Sequence, residues 1–404
     1  MGGVVTASVR AAYAGFAAFG ALWGVWGALL PSVREQAGLS HGQLGTALLF
    51  IGAGALPAML LTGPAVDRWE HRVTALLQVA LGGTGVVVAV TGHGFVSLCV
   101  GLGLLGAVSG AADVANNAAA ASAEQASGHP VIARAHGVFS ASVVVTSLIG
   151  GALRGVDAAV AVPFLLATAA GGAAGLITLA ATRTFAAAGV RGLQPAPRPR
   201  TRRRPLSTLR LLPLLVAGGL VALAFAVENA HQSWSAVYLG DVLSAGPAVA
   251  AAGPAVFAGV VALARFAVAT LTHRHALAVL IAGALTAALG TAVVAAAANV
   301  AIALTGLGLA AAGTAVLQPT VLGLVARRVD ETARGRATAV VTTVAYLGFL
   351  AGPVYVGQWA GAVGLPGAML AVAAVAVVLA LLTWPAVRLI TRTPAAEVEP
   401  VGRR

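Results

Sequence analysis

The stretch SGAADVANNAAAASAE places a carboxylate inside a long apolar part of the chain. Asn116 and Asn117 follow Asp113 at three and four residues, so the three side chains share one face of a helix. A charge at the centre of a bilayer costs about 3 kcal/mol or more, which predicts that this face points into a helix bundle. There the carboxyl group can exchange a proton or hold a polar solute, or it can lock helices together by pairing with Arg68, Arg134 or the asparagines.

A second polar face precedes the end of another apolar stretch. Glu228, His231, Gln232 and Ser235 occur at intervals of three, four and seven residues, again on one helical face. A glutamate one turn from a histidine predicts a proton relay, because imidazole titrates near neutral pH. The alternative is that Glu228 and His231 form a structural pair at a hydrated helix end and relay no proton. Trp234 is a candidate for stacking on a ring of the solute, although a tryptophan there is also typical of the belt at a membrane interface.

These side chains require membrane-spanning helices to position them. The mean hydropathy is +0.93 and 9% of residues are charged, whereas about a quarter are charged in soluble domains. Twelve apolar runs of about 20 residues, the length that spans a bilayer as a helix, recur along the 404 residues. The chain is therefore predicted to be an all-α polytopic membrane protein with twelve transmembrane helices. Gln318, beside Pro319 in the tenth run, is expected to line the cavity between them.

The basic residues predict the orientation of these helices. All 24 are arginines, and 21 of them lie on one side if the N-terminus is cytoplasmic, with only Arg34 and Arg154 opposite and Arg265 within a span. Cytoplasmic loops are enriched in Arg and Lys, which predicts a multi-pass protein of a bacterial inner membrane with both termini cytoplasmic. Because the arginines lie in short loops, the net charge of +12 indicates orientation rather than nucleic-acid binding. The single cysteine, Cys99, forms no internal disulfide, and we expect no metal or cofactor.

The chain divides into two similar halves. We predict six helices in residues 1–182, a basic cytoplasmic linker in 183–210, six helices in 211–390 and a cytoplasmic tail in 391–404. The halves contain weakly similar segments. WGALL at Trp26 resembles WSAVY at Trp234, and Arg134 and Arg334 each precede a similarly composed span. In transporters built from such repeats the solute site lies between them.

Local motifs resemble those of the major facilitator superfamily. GPAVDRWEHR is similar to that superfamily's loop between the second and third spans, although Glu70 stands where a glycine is usual. DVANNAAAASAE with HGVFS, WGALLPSVREQAGLSHGQLG and ENAHQSWSAVYL resemble a branch of bacterial permeases distantly related to fucose–proton symporters. In that branch an aspartate usually occupies the position of Ser233. The resemblance implies the major facilitator fold, twelve helices in two pseudo-symmetric halves.

The resemblance also implies a cytoplasmic gate, in which this loop meets the start of the eleventh span when the transporter faces outward. Asp67 suits the positive N-terminus of that span; ordinary solvated loop charges are the alternative. Glu124 either belongs to the gate or anchors a loop. The full set of expected gate residues is Asp67, Arg68, Arg72, Glu124, Arg134, Arg334 and Arg336.

The expected function is transport of a small polar, sugar-like solute by alternating access. The two acids in opposite halves, Asp113 and Glu228, predict protons as the coupling ion, and the expected working unit is a monomer. The alternatives are a drug or natural-product exporter, a membrane enzyme and a non-transporting sensor. Drug–proton antiporters of the superfamily usually carry an arginine in span 4 and a Gly-Pro pattern in span 5, and this chain has neither. An enzyme would need carboxylates gathered in a sizeable loop, but Glu35, Asp157 and Asp241 lie far apart in short loops.

Overall fold

A computed structural model describes residues 2–69, 71–187, 208–268, 275–329 and 334–392. The described residues are almost entirely helical and contain no strand. The helices are α1 (Gly2–Gln36), α2 (His41–Trp69), α3 (His71–Thr91), α4 (Phe95–Ser127), α5 (Val131–Gly155), α6 (Ala161–Ala187), α7 (Thr208–Asp241), α8 (Pro247–Ala250), α9 (Ala252–Val268), α10 (Ala276–Ala295), α11 (Val300–Ala315), α12 (Leu317–Ala326) and α13 (Arg334–Arg392). The predicted linker 183–210 and tail 391–404 fall mostly outside these residues.

Twelve crossings follow from these helices. Eleven helical segments of the described chain are long and apolar enough to span a bilayer, with α8 joined to α9 and α11 joined to α12. The last helix, α13, has 59 residues, which is about 88 Å at 1.5 Å per residue and far too long for one crossing. Gly364, at φ 77° and ψ 168°, interrupts it, so α13 supplies two spans. The predicted all-α, twelve-helix fold is confirmed.

Small residues let the helices of each half pack closely. An added Cβ at Gly106 on α4 would lie 1.9 Å from the carbonyl oxygen of Ile51 on α2, so only glycine permits this approach. The same half contains a buried polar chain, in which Gln78 on α3 donates to Asn116 on α4 (3.1 Å) and accepts from Thr178 on α6 (3.1 Å). This chain joins three helices of the first half.

Among the described residues, buried apolar clusters join the two halves on only one side of the bundle. We call the side where α1 begins and α13 ends the terminal side, and the other the distal side. The largest buried apolar cluster includes Trp26 and Leu44 of the first half together with Trp234 and Val356 of the second, toward the distal side. Toward the terminal side the buried clusters separate by half, one around Leu214 and others formed entirely by residues of the first half. The bundle is therefore closed distally and parted at its terminal side.

Candidate functional site: a cavity between the halves

A cavity of about 330 Å³ lies where the halves part. Its wall comes from α1, α2, α4 and α5 of the first half and from α7, α9, α12 and α13 of the second. Most of the wall is apolar and aromatic. The polar and charged lining residues are Ser109, Asp113, Ser140, Glu228, Asn229, Gln232, Ser233, Arg265, Gln318 and Tyr346. A pocket of this size, with a few polar groups on an apolar wall, is typical of small-molecule sites.

Asp113 reaches the cavity from α4 with a single side-chain partner. The amide of Asn117 donates to its Oδ1 and to its backbone oxygen, both at 2.9 Å. Asn116 does not join them, because it is 2% exposed and bonded to Gln78 and to the carbonyl oxygen of Gly15. The predicted polar face therefore divides: Asp113 lines the cavity, Asn117 bonds to Asp113 without lining it, and Asn116 joins α4 to α1 and α3.

Glu228 lies in the cavity wall of the second half, paired with a cation. Nη2 of Arg265 on α9 lies 3.1 Å from Oε1 and 3.4 Å from Oε2 of Glu228. The amide of Gln232 donates to Oε1 at 3.2 Å. This pair joins α7 to α9, and its arginine is the more open partner, with 41% of the side chain exposed against 12% for Glu228.

His231 and Trp234, which we expected beside Glu228, lie elsewhere. His231 is 1% exposed; its Nδ1 donates to the carbonyl oxygen of Val227 (2.7 Å) and its Nε2 lies 3.1 Å from the hydroxyl of Thr291. Trp234 is fully buried and donates to the carbonyl oxygen of Pro353 at 3.1 Å. The structure does not form the Glu228–His231 pair, and Trp234 joins α7 to α13 instead of facing solute or lipid.

Sequence reasoning missed several lining residues. The sequence places Arg265 only within a span, and a charged residue inside the apolar α9 (Ala252–Val268) was the available signal. Trp23 and Trp26 also line the cavity. Phe19 packs edge-on against Trp23 at 6.4 Å between ring centroids and lies 5.6 Å from the Phe139 ring. These rings give the first half an aromatic wall.

The expected gate residues stand apart on the terminal side. Asp67, Arg68, Arg72, Arg134, Arg334 and Arg336 are all exposed. Arg68 lies over the ring of Trp69 at 5.3 Å, and Nε of Arg334 donates to the carbonyl oxygen of Ala326 at 3.1 Å. Asp67 forms no ion pair within the described residues. Glu124 accepts from the backbone N–H of Ile132 at 3.0 Å and so anchors the turn between α4 and α5.

The distal side, in contrast, is held by polar contacts between the halves. Oδ2 of Asp241 on α7 accepts from Nη2 of Arg34 at 2.7 Å and lies 2.8 Å from Nε2 of His41. Gln358 on α13 donates to the hydroxyl of Thr46 at 3.1 Å. We call Arg34, His41 and Asp241 the distal latch. An interhelical cavity with a latched side and a parted side is the arrangement that alternating access requires.

The chain is similar to known proteins in both sequence and fold. Residues 11–308 match the profile of the family described as the Major Facilitator Superfamily. An uncharacterised MFS-type transporter of Yersinia pestis is 29% identical over 337 residues, which cover 81% of this chain and 83% of that protein. A bacterial homologue of the human lysosomal transporter Spinster, solved inward-facing and unoccupied, has a TM-score of 0.76 at 16% identity, covering 98% of this chain and 99% of that one. A D-xylose–proton symporter has a TM-score of 0.72 at 16% identity, covering 96% and 99%.

Proposed function

The chain belongs to the Major Facilitator Superfamily, and we propose that it is a secondary active transporter that moves a small polar organic solute by alternating access, coupled to protons. The observation that carries this proposal is a cavity lined by both halves that contains one acid from each, Asp113 and Glu228. A carboxyl group whose exposure changes as the cavity opens and closes can carry a proton through the cycle. The fold shared with a D-xylose–proton symporter supports both the solute class and the ion.

The distribution of arginines supports the orientation. With both termini cytoplasmic in a bacterial inner membrane, the terminal side faces the cytoplasm and carries 21 of the 24 arginines. The conformation described above is then inward-facing, as is the Spinster homologue whose fold it shares. The repeats are residues 1–182 and 211–390, joined by the basic linker, and the working unit is a monomer.

Export of cationic drugs is the second candidate, and the sequence favours it less. The arginine of span 4 and the proline of span 5 that mark the superfamily's drug–proton antiporters are absent from the sequence. Among the described residues the cavity has one basic side chain, Arg265, and its pairing with Glu228 leaves Asp113 as the acid without a cation. Asp113 is the feature that an exporter of cations would use.

The decisive experiment replaces the two cavity acids in the purified, reconstituted chain. A thermal-shift screen of sugars, amino acids, organic acids and cationic drugs first identifies a bound compound. Asp113→Asn or Glu228→Gln should then abolish its proton-driven accumulation in liposomes, and at least one of them should leave counterflow intact, since the amide resembles the neutral acid in size and hydrogen bonding. Asp157→Asn, at an exposed distal turn, is the matched control. Wild-type accumulation by both variants would make these carboxyl groups structural.

A further inference from the structure

Arg265 is the only basic residue of the described chain that lines the cavity. Its contact with Glu228 uses a single nitrogen, Nη2, whereas a guanidinium group has five N–H donors arranged in a planar fork. Its side chain is also the more exposed of the pair, 41% against 12% for Glu228, so it is accessible to a ligand in the cavity. The cavity therefore presents a cation whose hydrogen-bonding capacity is largely unused.

A carboxylate is the ligand that fits such a group. Arginine binds carboxylates through two parallel N–H···O bonds, which are shorter and stronger than neutral hydrogen bonds. Glu228 does not make this two-nitrogen contact. Resting on the transport function proposed above, we propose that the solute is a small organic carboxylate that binds Arg265 in place of Glu228.

The displaced Glu228 then requires a new partner. Its neighbour on α7 is the neutral amide of Gln232, and a carboxylate that loses its cation in a largely buried place is strongly disfavoured. Glu228 therefore takes up one proton from the water of the cavity and becomes a carboxylic acid. Other titratable groups also face this region: Asp113 on α4 with Tyr346 on α13 near it, and His136 on α5 within electrostatic range of Arg265.

The exchange conserves the charge of the cavity. Before binding, Arg265 and Glu228 sum to zero; afterwards Arg265, the solute carboxylate and the neutral Glu228 again sum to zero. Solute binding therefore adds no net charge to the cavity. This matters because the cavity must be closed off from water during transport, and unpaired charge is costly there. One carboxylate and one proton move together, and this step is electroneutral.

The cavity also limits the size of the solute apart from its carboxylate group. A volume of about 330 Å³ is at the lower end of the range for small-molecule sites. The aromatic wall of Phe19, Trp23 and Phe139 provides faces for one ring or a compact hydroxylated chain. Sugar acids and single-ring acids meet both conditions.

The test compares acids with matched neutral compounds on the full-length purified protein. Gluconate against sorbitol, and benzoate against benzamide, differ in each case at one end of the molecule. We expect at least one acid to bind at least about tenfold more tightly than its neutral partner, the factor that one charge-assisted hydrogen bond provides. Equal binding within both pairs, or binding of the neutral compounds alone, would overturn the proposal.

Two variants distinguish solute binding by Arg265 from a purely structural ion pair between Arg265 and Glu228. Arg265→Gln should weaken binding of the acid at least about tenfold, with Arg10→Gln, an exposed arginine remote from the cavity, as the control. Glu228→Gln should strengthen binding because it removes the competitor for Arg265, whereas a purely structural pair predicts weaker binding. If Arg265→Gln does not fold, Glu228→Gln alone decides between these outcomes.

A transport assay in liposomes distinguishes this proposal from the function on which it rests. The acid that binds should enter liposomes with one proton and without dependence on membrane potential. Proton-driven transport of a neutral sugar would preserve the transporter proposal and overturn the carboxylate proposal. Absence of transport for every compound that binds would overturn both.

Discussion

At the scale of single residues, His231 is a buried imidazole with all its polar atoms satisfied. Its Nδ1 donates to the carbonyl oxygen of Val227, and its Nε2 lies 3.1 Å from the hydroxyl of Thr291, which also lies 2.7 Å from the carbonyl oxygen of Ala287. The ring also stacks on Phe257, with centroids 5.4 Å apart and planes 4° from parallel. These contacts join α7 to α9 and α10, so its role is to hold the second half together.

We expect two substitutions at His231 to differ in stability and to agree in transport. His231→Ala removes the stacked ring and should lower stability by about 2–4 kcal/mol through the cavity that it leaves. His231→Phe should cost much less, because Thr291 can still donate to the carbonyl oxygen of Ala287 at 2.7 Å. Thermal denaturation and liposome transport measure the two effects. Loss of proton-driven accumulation in His231→Phe with counterflow retained would restore His231 as a proton relay.

The two acids share a local geometry that spacing alone did not resolve. In both α4 and α7 the residue at i+4, Asn117 or Gln232, bonds back to the acid, while the residue at i+3, Asn116 or His231, is buried against other helices. At about 100° per residue the i+3 and i+4 positions diverge by about 100° around the helix. Which of them faces the cavity depends on neighbouring helices, and the sequence of one helix does not contain that information.

At the scale of helices, α2 and α13 bring two backbones of opposite halves into contact. An added Cβ on Gly45 would lie 2.8 Å from Cα of Gly357, and one on Gly357 would lie 2.6 Å from Cα of Gly45. Two backbones in direct contact leave no flexible side chain to move aside. The distal closure therefore depends on both positions remaining glycine.

Gly45→Val should hold the distal side apart. A side chain at this contact is incompatible with the latched arrangement, so the population shifts toward conformers open distally. The measurement is labelling of Gln318→Cys in the cavity, in a Cys99→Ser background, by an impermeant maleimide applied from the distal side. Faster labelling is expected, with Gly172→Val, which meets no atom within 4 Å, as the control. Unchanged labelling would show that the contact does not govern closure.

The helices themselves were predictable because the length of each apolar run is enough to identify a membrane span. Even the continuous α13 was anticipated as two spans, since 59 residues exceed one bilayer crossing. The pairing of Arg265 with Glu228 was not predictable, because its members are 37 residues apart and lie on separate helices. Spacing within one helix locates a polar position, but its partner depends on how helices pack.

At the scale of the whole molecule, the two sides of the bundle are in opposite states. The distal latch is formed, with Asp241 bonded to both Arg34 and His41. On the terminal side, Asp67 and Arg334 are exposed and do not pair with each other. The gate contact predicted between Asp67 and the start of α13 is therefore not formed in this conformation, and in the proposed cycle it would form when the terminal side closes.

This difference predicts opposite effects for two similar substitutions. Asp241→Asn weakens contacts present only in the distally closed state, and Asp67→Asn weakens contacts that form only when the terminal side closes. A surface ion pair contributes up to about 1 kcal/mol, so each variant should shift the ratio of states by up to about fivefold, in opposite directions. Solute affinity of the open cavity should change little, because neither residue lines it, and exchange should be slower in Asp67→Asn.

Spin labels on Ala133→Cys and Arg327→Cys, in a Cys99→Ser background, report the separation of the halves on the terminal side. Asp241→Asn should raise the fraction of short distances, and Asp67→Asn should lower it. The double variant should return toward the wild-type distribution, since the two effects act on the same equilibrium and the residues are remote from each other. Identical shifts in both single variants, or a large loss of solute binding in Asp67→Asn with normal exchange, would show that these charges do not act as opposing gates.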